Sequence, residues 1–429
     1  MVLFLSSSLS QTTLFVLFLK LSVISQVASH VVLTFPPARK YGLDFLDTYR
    51  TTTPCGMKKG GVRTSLETGK NVTITWHLAY PHQGGFKLEL LDPSEKKLRD
   101  LTPNGQYVGL DNKEQQSYNL TISNDILCKD CTIRIVRQAL EWGKKYKFQS
   151  CADVDIVARV GNTCSGHGTP YGSACICDAP FTGDRCQYKN DCSSDSDCNH
   201  QGKCLTISRS MLPGKQCYCH AGFFGQFCQR ESFTAQKGFN ESDYAKVQTR
   251  GLTFYWRILE DGKEMEGVAV ANTMGYVAVG WRPKNSTKGC QTFPEDVPAP
   301  KGQDFHGMDC MDMVIGTVRD GLSRIGDYYS RDRSTPQSDG IFGGQDDLTG
   351  AVGWEDQESA RTTIMFRKRL RVDHATDHAF SGKLQFIWAH GQNGRSFYQD
   401  DELKYHGSNR GSLVLDAPSL DKVVFPQHV

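Results

Sequence analysis

This chain is short of several things, and each shortage narrows what it can be. Net charge is nearly absent. There are 49 Lys and Arg against 47 Asp and Glu, a balance of +2 over 429 residues, so no broad basic field for nucleic acid is expected. Beyond the first 29 residues no apolar run approaches the ~18 residues a bilayer span needs, so no transmembrane segment is expected. No long Pro-rich or Gly/Ser-rich tract interrupts the chain. No Ser/His/Asp arrangement, phosphate loop or His-Glu-x-x-His helix stands out, which argues against a hydrolase.

What is present begins with a secretory signal. The apolar run Leu14 to Leu21 is broken only by Lys20, and a polar stretch ends in Val27-Ala28-Ser29. Small residues at these positions suit signal peptidase, with the cut between Ser29 and His30. The chain is therefore expected to be secreted and extracellular. Sixteen Cys all follow the signal, an even number that favours disulfides in such a compartment. Sequons at Asn71, Asn119, Asn240 and Asn285 fit a glycoprotein.

The cysteines divide the chain. Cys55, Cys128, Cys131 and Cys151 form a first block. Cys164, Cys175, Cys177 and Cys186 form a second; Cys192, Cys198, Cys204, Cys217, Cys219 and Cys228 a third. Only Cys290 and Cys310 lie beyond, and elimination pairs them. The expected order is a signal (1–29), a first domain (30–159), two small disulfide-rich modules (160–188 and 189–229), a polar linker (230–245), a last domain (246–416) and a tail (417–429). The small modules are too short for a large core and need staples.

Both larger domains read as mainly β. Val72, Ile74, Trp76, Leu78 and Tyr80 alternate with polar residues, Pro81–Gly85 reads as a turn, and Phe86, Leu88 and Leu90 alternate again. That pattern predicts a hairpin with His82 at its tip and His77 on a solvated face. In the last domain, Leu384, Phe386, Trp388 and His390 share one strand face. His390 is thus expected to project into an apolar pocket, either as a haem ligand or as a core histidine. The fold class expected is mainly β, with two immunoglobulin- or fibronectin-like sandwiches joined by two disulfide-rich modules.

An N-terminal His offers an amine and an imidazole from one residue, and a second imidazole would complete a three-nitrogen site suited to copper. His30 and His82 are the candidates. The segments His30–Arg39 with Pro54-Cys55-Gly56, Tyr80–Phe86, and Phe148–Ile156 together resemble the lytic polysaccharide monooxygenases and their copper-binding relatives. The resemblance implies a copper brace of His30 and His82 with Phe148 in the axial position. The Pro36-Pro37-Ala38-Arg39 start looks more like the copper-acquisition relatives, in which a carboxylate joins the copper; Asp44 or Asp47 would fill that part.

The third block, ending Cys217-Tyr-Cys219 and Cys228, resembles an EGF-like module, which implies the pairs Cys192–Cys204, Cys198–Cys217 and Cys219–Cys228. The second block resembles a shortened EGF-like module with two bridges. Such modules serve as spacers or protein-binding surfaces. Tyr276–Trp281, Gly307–Gly316 and Leu384–Gly391 resemble the DOMON domain, the cytochrome type of cellobiose dehydrogenase. Its haem-binding members use an axial Met and His, which points to Met308 and His390 with haem b, Met311 and His306 being alternatives.

Three functions follow. The first is an extracellular copper and haem enzyme that oxidises a polysaccharide such as chitin or cellulose, fed by an external reductant. The second is a copper-binding protein without glycan oxidation. The third is a matrix or adhesion protein that meets cell-surface proteins through its EGF-like modules.

Overall fold

The computed structural model describes residues 31–43, 54–60, 62–79, 81–161, 164–171, 174–183, 185–207, 212–233, 239–259, 262–291, 305–370, 374–391, 403 and 405–418. His30, Asp44, Asp47 and Tyr80 lie outside them. The architecture is mainly β: four multi-stranded sheets form two sandwiches, with short hairpins between.

In the first sandwich a three-stranded sheet, in the order Val31–Phe35, Asn71–Leu78, Ser117–Thr121, faces a five-stranded one. The second sheet runs Arg63–Glu67, Lys147–Val157, Cys128–Gln138, Phe86–Leu91, Lys97–Asp100. Val31, Leu33, Ile74 and Trp76 from one sheet meet Leu88, Leu90, Ile133, Ile135, Val154 and Ile156 from the other in a shared core. The alternation expected at Val72–Leu78 and Phe86–Leu90 is therefore real. The hairpin is not: Asn71–Leu78 pairs with Val31–Phe35, whereas Phe86–Leu91 pairs with Cys128–Gln138 in the opposite sheet. The segment between them crosses from one sheet to the other, because each strand's apolar face needs a partner across the core rather than beside it.

That crossing corrects the placement of both histidines. His82 is buried, 1% exposed, not at a solvated tip. His77 is also buried. It pairs in register with Val32 on the outer face of the small sheet, and Ala79, two residues further on that face, abuts the last domain. His77 is covered although its side chain is polar, so polarity alone did not place it in water.

The Cys pairs are Cys55–Cys151, Cys128–Cys131, Cys164–Cys175, Cys177–Cys186, Cys192–Cys204, Cys198–Cys217, Cys219–Cys228 and Cys290–Cys310, which exhausts the sixteen.

The last sandwich sets Ala245–Gln248, Leu252–Ile258, Glu264–Ala271, Arg361–Arg369 and Leu348–Asp356 against a larger sheet. The larger sheet is built on Leu322–Ser330, Met311–Arg319, Val277–Pro283, Gly382–His390 and Arg410–Ala417. The two sheets approach closely at Gly316, where a Cβ would stand 2.7 Å from Ile364 Cγ2.

The larger sheet continues into the middle of the chain. The hairpin Gly202–Thr206/Lys215–Cys219 joins it through a Cys219–Ser323 pair. Tyr218, Ile207 and Leu322 form a small buried cluster there, and the Tyr218 and Thr317 hydroxyls bond at 2.9 Å. The last disulfide-rich module is thus docked on a sheet edge that would otherwise carry unpaired backbone groups. It is not a free spacer. The expected linker is also engaged in part: Arg230 pairs with Asp346 at 3.0 Å, and Ala351 N donates to Ser232 Oγ at 2.8 Å.

Candidate functional site

The crossing segment builds the first site. Gly84 has φ +103°, and a Cβ at Gly85 would stand 2.4 Å from Val108 O, so only glycines let this loop turn against its neighbours. Buried Arg137 holds the loop by donating to the carbonyls of His82 (2.8 Å), Gly84, Gly85 (2.8 Å) and Lys113 (3.0 Å). These bonds fix the His82 backbone on the rigid strand Cys128–Gln138.

The His82 ring is fixed in turn. Its Nδ1 pairs with the Glu141 carboxylate, whose other oxygen accepts from Gln83 N at 3.0 Å. Phe148 stacks on the imidazole, centroids 5.2 Å apart and planes 11° from parallel. Trp142 meets it edge-on at 4.5 Å. Burial pushes the His82 pKa below the ordinary value, and Glu141 offsets only part of this. The ring is therefore neutral at pH 7, with Nδ1–H towards Glu141, and Nε2 is the nitrogen that would ligate a metal. The structure brings His82 and Phe148 together, while His30 lies outside the described residues. Glu141 and Trp142 were missed. Their one signal was an acidic–aromatic pair in the turn just before the strand that carries Phe148.

The second site is a cavity of about 350 Å³ on the outer face of the larger sheet of the last sandwich. Its floor is Ala278, Met313, Ile315, Ile387 and Ala389, with Met308 and Leu403 packed against them. His306, His406, Arg333 and Arg410 also line it, and Ala79 of the first sandwich closes one side.

The structure places Met308 on this cavity but not His390. Strand alternation is the reason: Ile387 and Ala389 face the cavity, whereas Phe386 and Trp388 pack in the sandwich core, Trp388 also touching the cavity wall, and His390 does not line it. His390 stacks on Trp388 at 6.0 Å, and its Nε2 would stand 2.8 Å from a Cβ at Gly251. It is held there as a core histidine, its Nδ1 against Gly391 O at 2.9 Å and its pKa lowered by burial. The expected Met308–His390 pair is not brought together.

Two histidines share the cavity with Met308, His306 and His406. The His406 Nδ1 lies 3.1 Å from Gly407 O, and burial pushes its pKa down to about 4, so it is a neutral imidazole. The sequence signal for it was weak, because His406 sits in a turn with no apolar period around it. His306 is engaged locally, its Nδ1 accepting from Met308 N at 3.1 Å.

All four sequon asparagines, Asn71, Asn119, Asn240 and Asn285, are exposed. No helix among the described residues is long and apolar enough to cross a membrane.

No family model matches the chain. Two curated relatives are Neurogenic locus notch homolog protein 1 of Cricetulus griseus, 38% identical over 55 residues, and of Homo sapiens, 35% identical over 72 residues. These stretches are 13% and 16% of this chain, and only 2% and 3% of those proteins. They agree with the EGF-like character of the disulfide-rich middle. Among solved structures, a cellulose-active LPMO, CelS2, in complex with copper is similar at 16% identity and a TM-score of 0.21, covering 31% of this chain and all of that one.

Proposed function

We propose that this chain is a secreted copper- and haem-binding redox glycoprotein that oxidises a polysaccharide such as chitin or cellulose. The observation that carries this reading is the adjacency of the two sites. Ala79 walls the cavity that holds Met308 and His406, and His82 lies three residues further along the chain. Three residues span at most about 11 Å between Cα atoms.

At the first site His82 Nε2 would ligate copper together with the amine and imidazole of a freed His30. Val31, the residue bonded to His30, pairs with Leu78 at the end of the sheet from which the His82 segment leaves. A copper ion held by such nitrogens would supply one-electron oxidation. Glu141 sets the tautomer and aim of His82, and Phe148 and Trp142 keep water from two sides of its ring.

We read the last sandwich as DOMON-like, in which Met308 and His406 would hold a haem. The cavity suits a haem: a thioether and a neutral imidazole line it, its floor is apolar, and Arg333 and Arg410 are there to meet the macrocycle's carboxylates. A haem held by a thioether and an imidazole would supply electron transfer. An external reductant would supply the electrons.

The test is twofold. Secreted protein supplied with haem should show a low-spin Met/His spectrum that His406→Ala and Met308→Ala abolish and His390→Gln keeps. Copper-loaded protein with ascorbate and peroxide should release oxidised oligosaccharides from chitin or cellulose. A spectrum lost with His390→Gln but kept with His406→Ala would refute the axial assignment. Absence of products across several polysaccharides would leave a copper-binding protein without glycan oxidation.

A further inference from the structure

The strand Arg410–Ala417 ends the larger sheet of the last sandwich, where it pairs with Gly382–His390. A sheet edge presents backbone groups that invite another strand, and proteins blunt such edges with short length, lysine, bulges or a covering segment. Other edges of this protein are blunted in these ways. Ala245–Gln248 and Lys97–Asp100 are four residues long and carry lysine. Leu348–Asp356 shifts register between Leu348 and Gly350 and is met by Arg230 and Ser232. The opposite end of the larger sheet holds the docked disulfide-rich hairpin. Arg410–Ala417 has eight residues, no proline, no lysine and an unbroken register, and among the described residues no strand covers its outer side.

The ladder shows which groups that outer side presents. His390 N donates to Asn409 O at 3.0 Å, whereas Gly391 N donates to Tyr276 O at 2.9 Å on the other side of the same strand. Backbone groups alternate between the two sides of a strand, so Gly411, Leu413 and Leu415 bond inward to Gly382–His390. Ser412, Val414 and Asp416 aim their N–H and C=O groups outward. All three residues are exposed, Val414 at 50%, and Leu413 is only half-buried at the margin of the core.

We propose that this edge pairs with the same strand of a second copy of the chain, antiparallel about a two-fold axis through Leu413, so that one sheet runs through a homodimer. Charge selects this occupant and this register. The axis sets Ser412 opposite Val414 of the second copy and Arg410 opposite Asp416 of the second copy. The outward backbone groups of Ser412 and Val414 then meet, twice over by symmetry. Directly opposite residues share a face with Cβ atoms about 5 Å apart, so an Arg410 guanidinium meets an Asp416 carboxylate at each end of the interface. Shifting the axis one residue either way sets Arg410 opposite Val414 or Pro418 instead.

The two Leu413 side chains meet at the axis, a non-hydrogen-bonded position where side chains stand closest, and close the open margin of each core. Arg410 also donates to Tyr405 Oη at 3.0 Å, and a guanidinium carries donors for more than one partner. The interface needs neither copper nor haem and does not rest on the redox reading.

The experiment is sedimentation velocity on the full secreted chain. One pair of strands is a small interface, so wild type should pass from monomer to dimer at roughly 10–100 µM. Val414→Pro removes an outward N–H and no bond of the existing ladder, so the monomer should keep its fold by circular dichroism while the dimer is lost. Asp416→Arg and Arg410→Asp each set like charges opposite one another and should weaken association roughly tenfold or more. Mixed in equal amounts, these two variants oppose unlike charges at both ends, and the mixture should dimerise as wild type does. A wild-type chain still monomeric at about 300 µM would overturn the proposal. So would a dimer that Val414→Pro leaves intact, or a mixture of the two charge variants no heavier than its components.

Discussion

Replacing Arg39 by Met should cost the first sandwich much of its stability, and the size can be worked from the structure. Arg39 is 2% exposed and its guanidinium serves four partners. Nε donates to Asp153 Oδ1 at 2.7 Å, Nη1 to Met57 O at 3.0 Å and to Glu95 at 2.6 Å, and Nη2 to Thr132 Oγ1 at 2.8 Å. Met keeps most of the volume and none of these bonds. Asp153, also buried, would retain only Gly60 N at 3.0 Å and a long 3.4 Å bond from Thr132.

Removing one partner of a buried ion pair costs about 3–5 kcal/mol, chiefly because the other charge is stranded. For a sandwich of this size, roughly 4 °C of melting temperature accompanies each kcal/mol, so the calorimetric transition of the first sandwich should fall by about 10–20 °C. The double variant Arg39→Met with Asp153→Leu should recover most of the loss, because no stranded charge remains. A fall under about 3 °C in Arg39→Met, or a double variant worse than the single, would refute the reasoning.

Three further predictions rest on other parts of the protein. Glu266 is buried; burial alone would raise its pKa, but bonds from Tyr244, Arg367 and Arg257 outweigh this and lower it. Its folded pKa lies below the unfolded one, so its stabilisation is present above about pH 4.5 and lost as pH falls through the folded value; Glu266→Gln should flatten that acid limb in urea titrations. Gly316→Ala would drive a methyl to 2.7 Å from Ile364 and 2.8 Å from Ile325, and overpacking of this kind should cost about 1–3 kcal/mol by denaturant unfolding. Tyr218→Phe removes the buried bond to Thr317 and should loosen the docked hairpin by about 1 kcal/mol, read as faster amide exchange at Gly202–Thr206.

Much of the fold was legible because it is written in local pattern. The two-residue period at Val72–Leu78 and Phe86–Leu90 marks real strands, and the bridges Cys192–Cys204, Cys198–Cys217 and Cys219–Cys228 all close within the block that the Cys spacing groups. What was not legible depends on which surfaces meet. The strands flanking His82 are close in sequence, yet they belong to opposite sheets, and that buries His82 and gives it Glu141 and Trp142. His77 carries a polar side chain on the polar-patterned side of its strand, yet it is buried, and polarity alone does not reveal that. His390 was correctly seen to share a face with Leu384, Phe386 and Trp388. The period could not say that this face is the sandwich core while the cavity lies behind it, where His406 enters from a loop. The three buried aspartates around Lys368, Asp312, Asp327 and Asp377, come from three separate segments, and nothing in their spacing announces that they converge.

Copper EPR on secreted protein with a verified His30 amino terminus, titrated to one equivalent of Cu(II), tests the central claim most directly. The account predicts one Cu(II) per chain, with nitrogen coupling that His82→Ala abolishes. It also predicts that Glu141→Gln weakens the copper binding and leaves the fold intact, because the carboxylate aims the imidazole that Phe148 supports. Substoichiometric copper that His82→Ala leaves unchanged would contradict it.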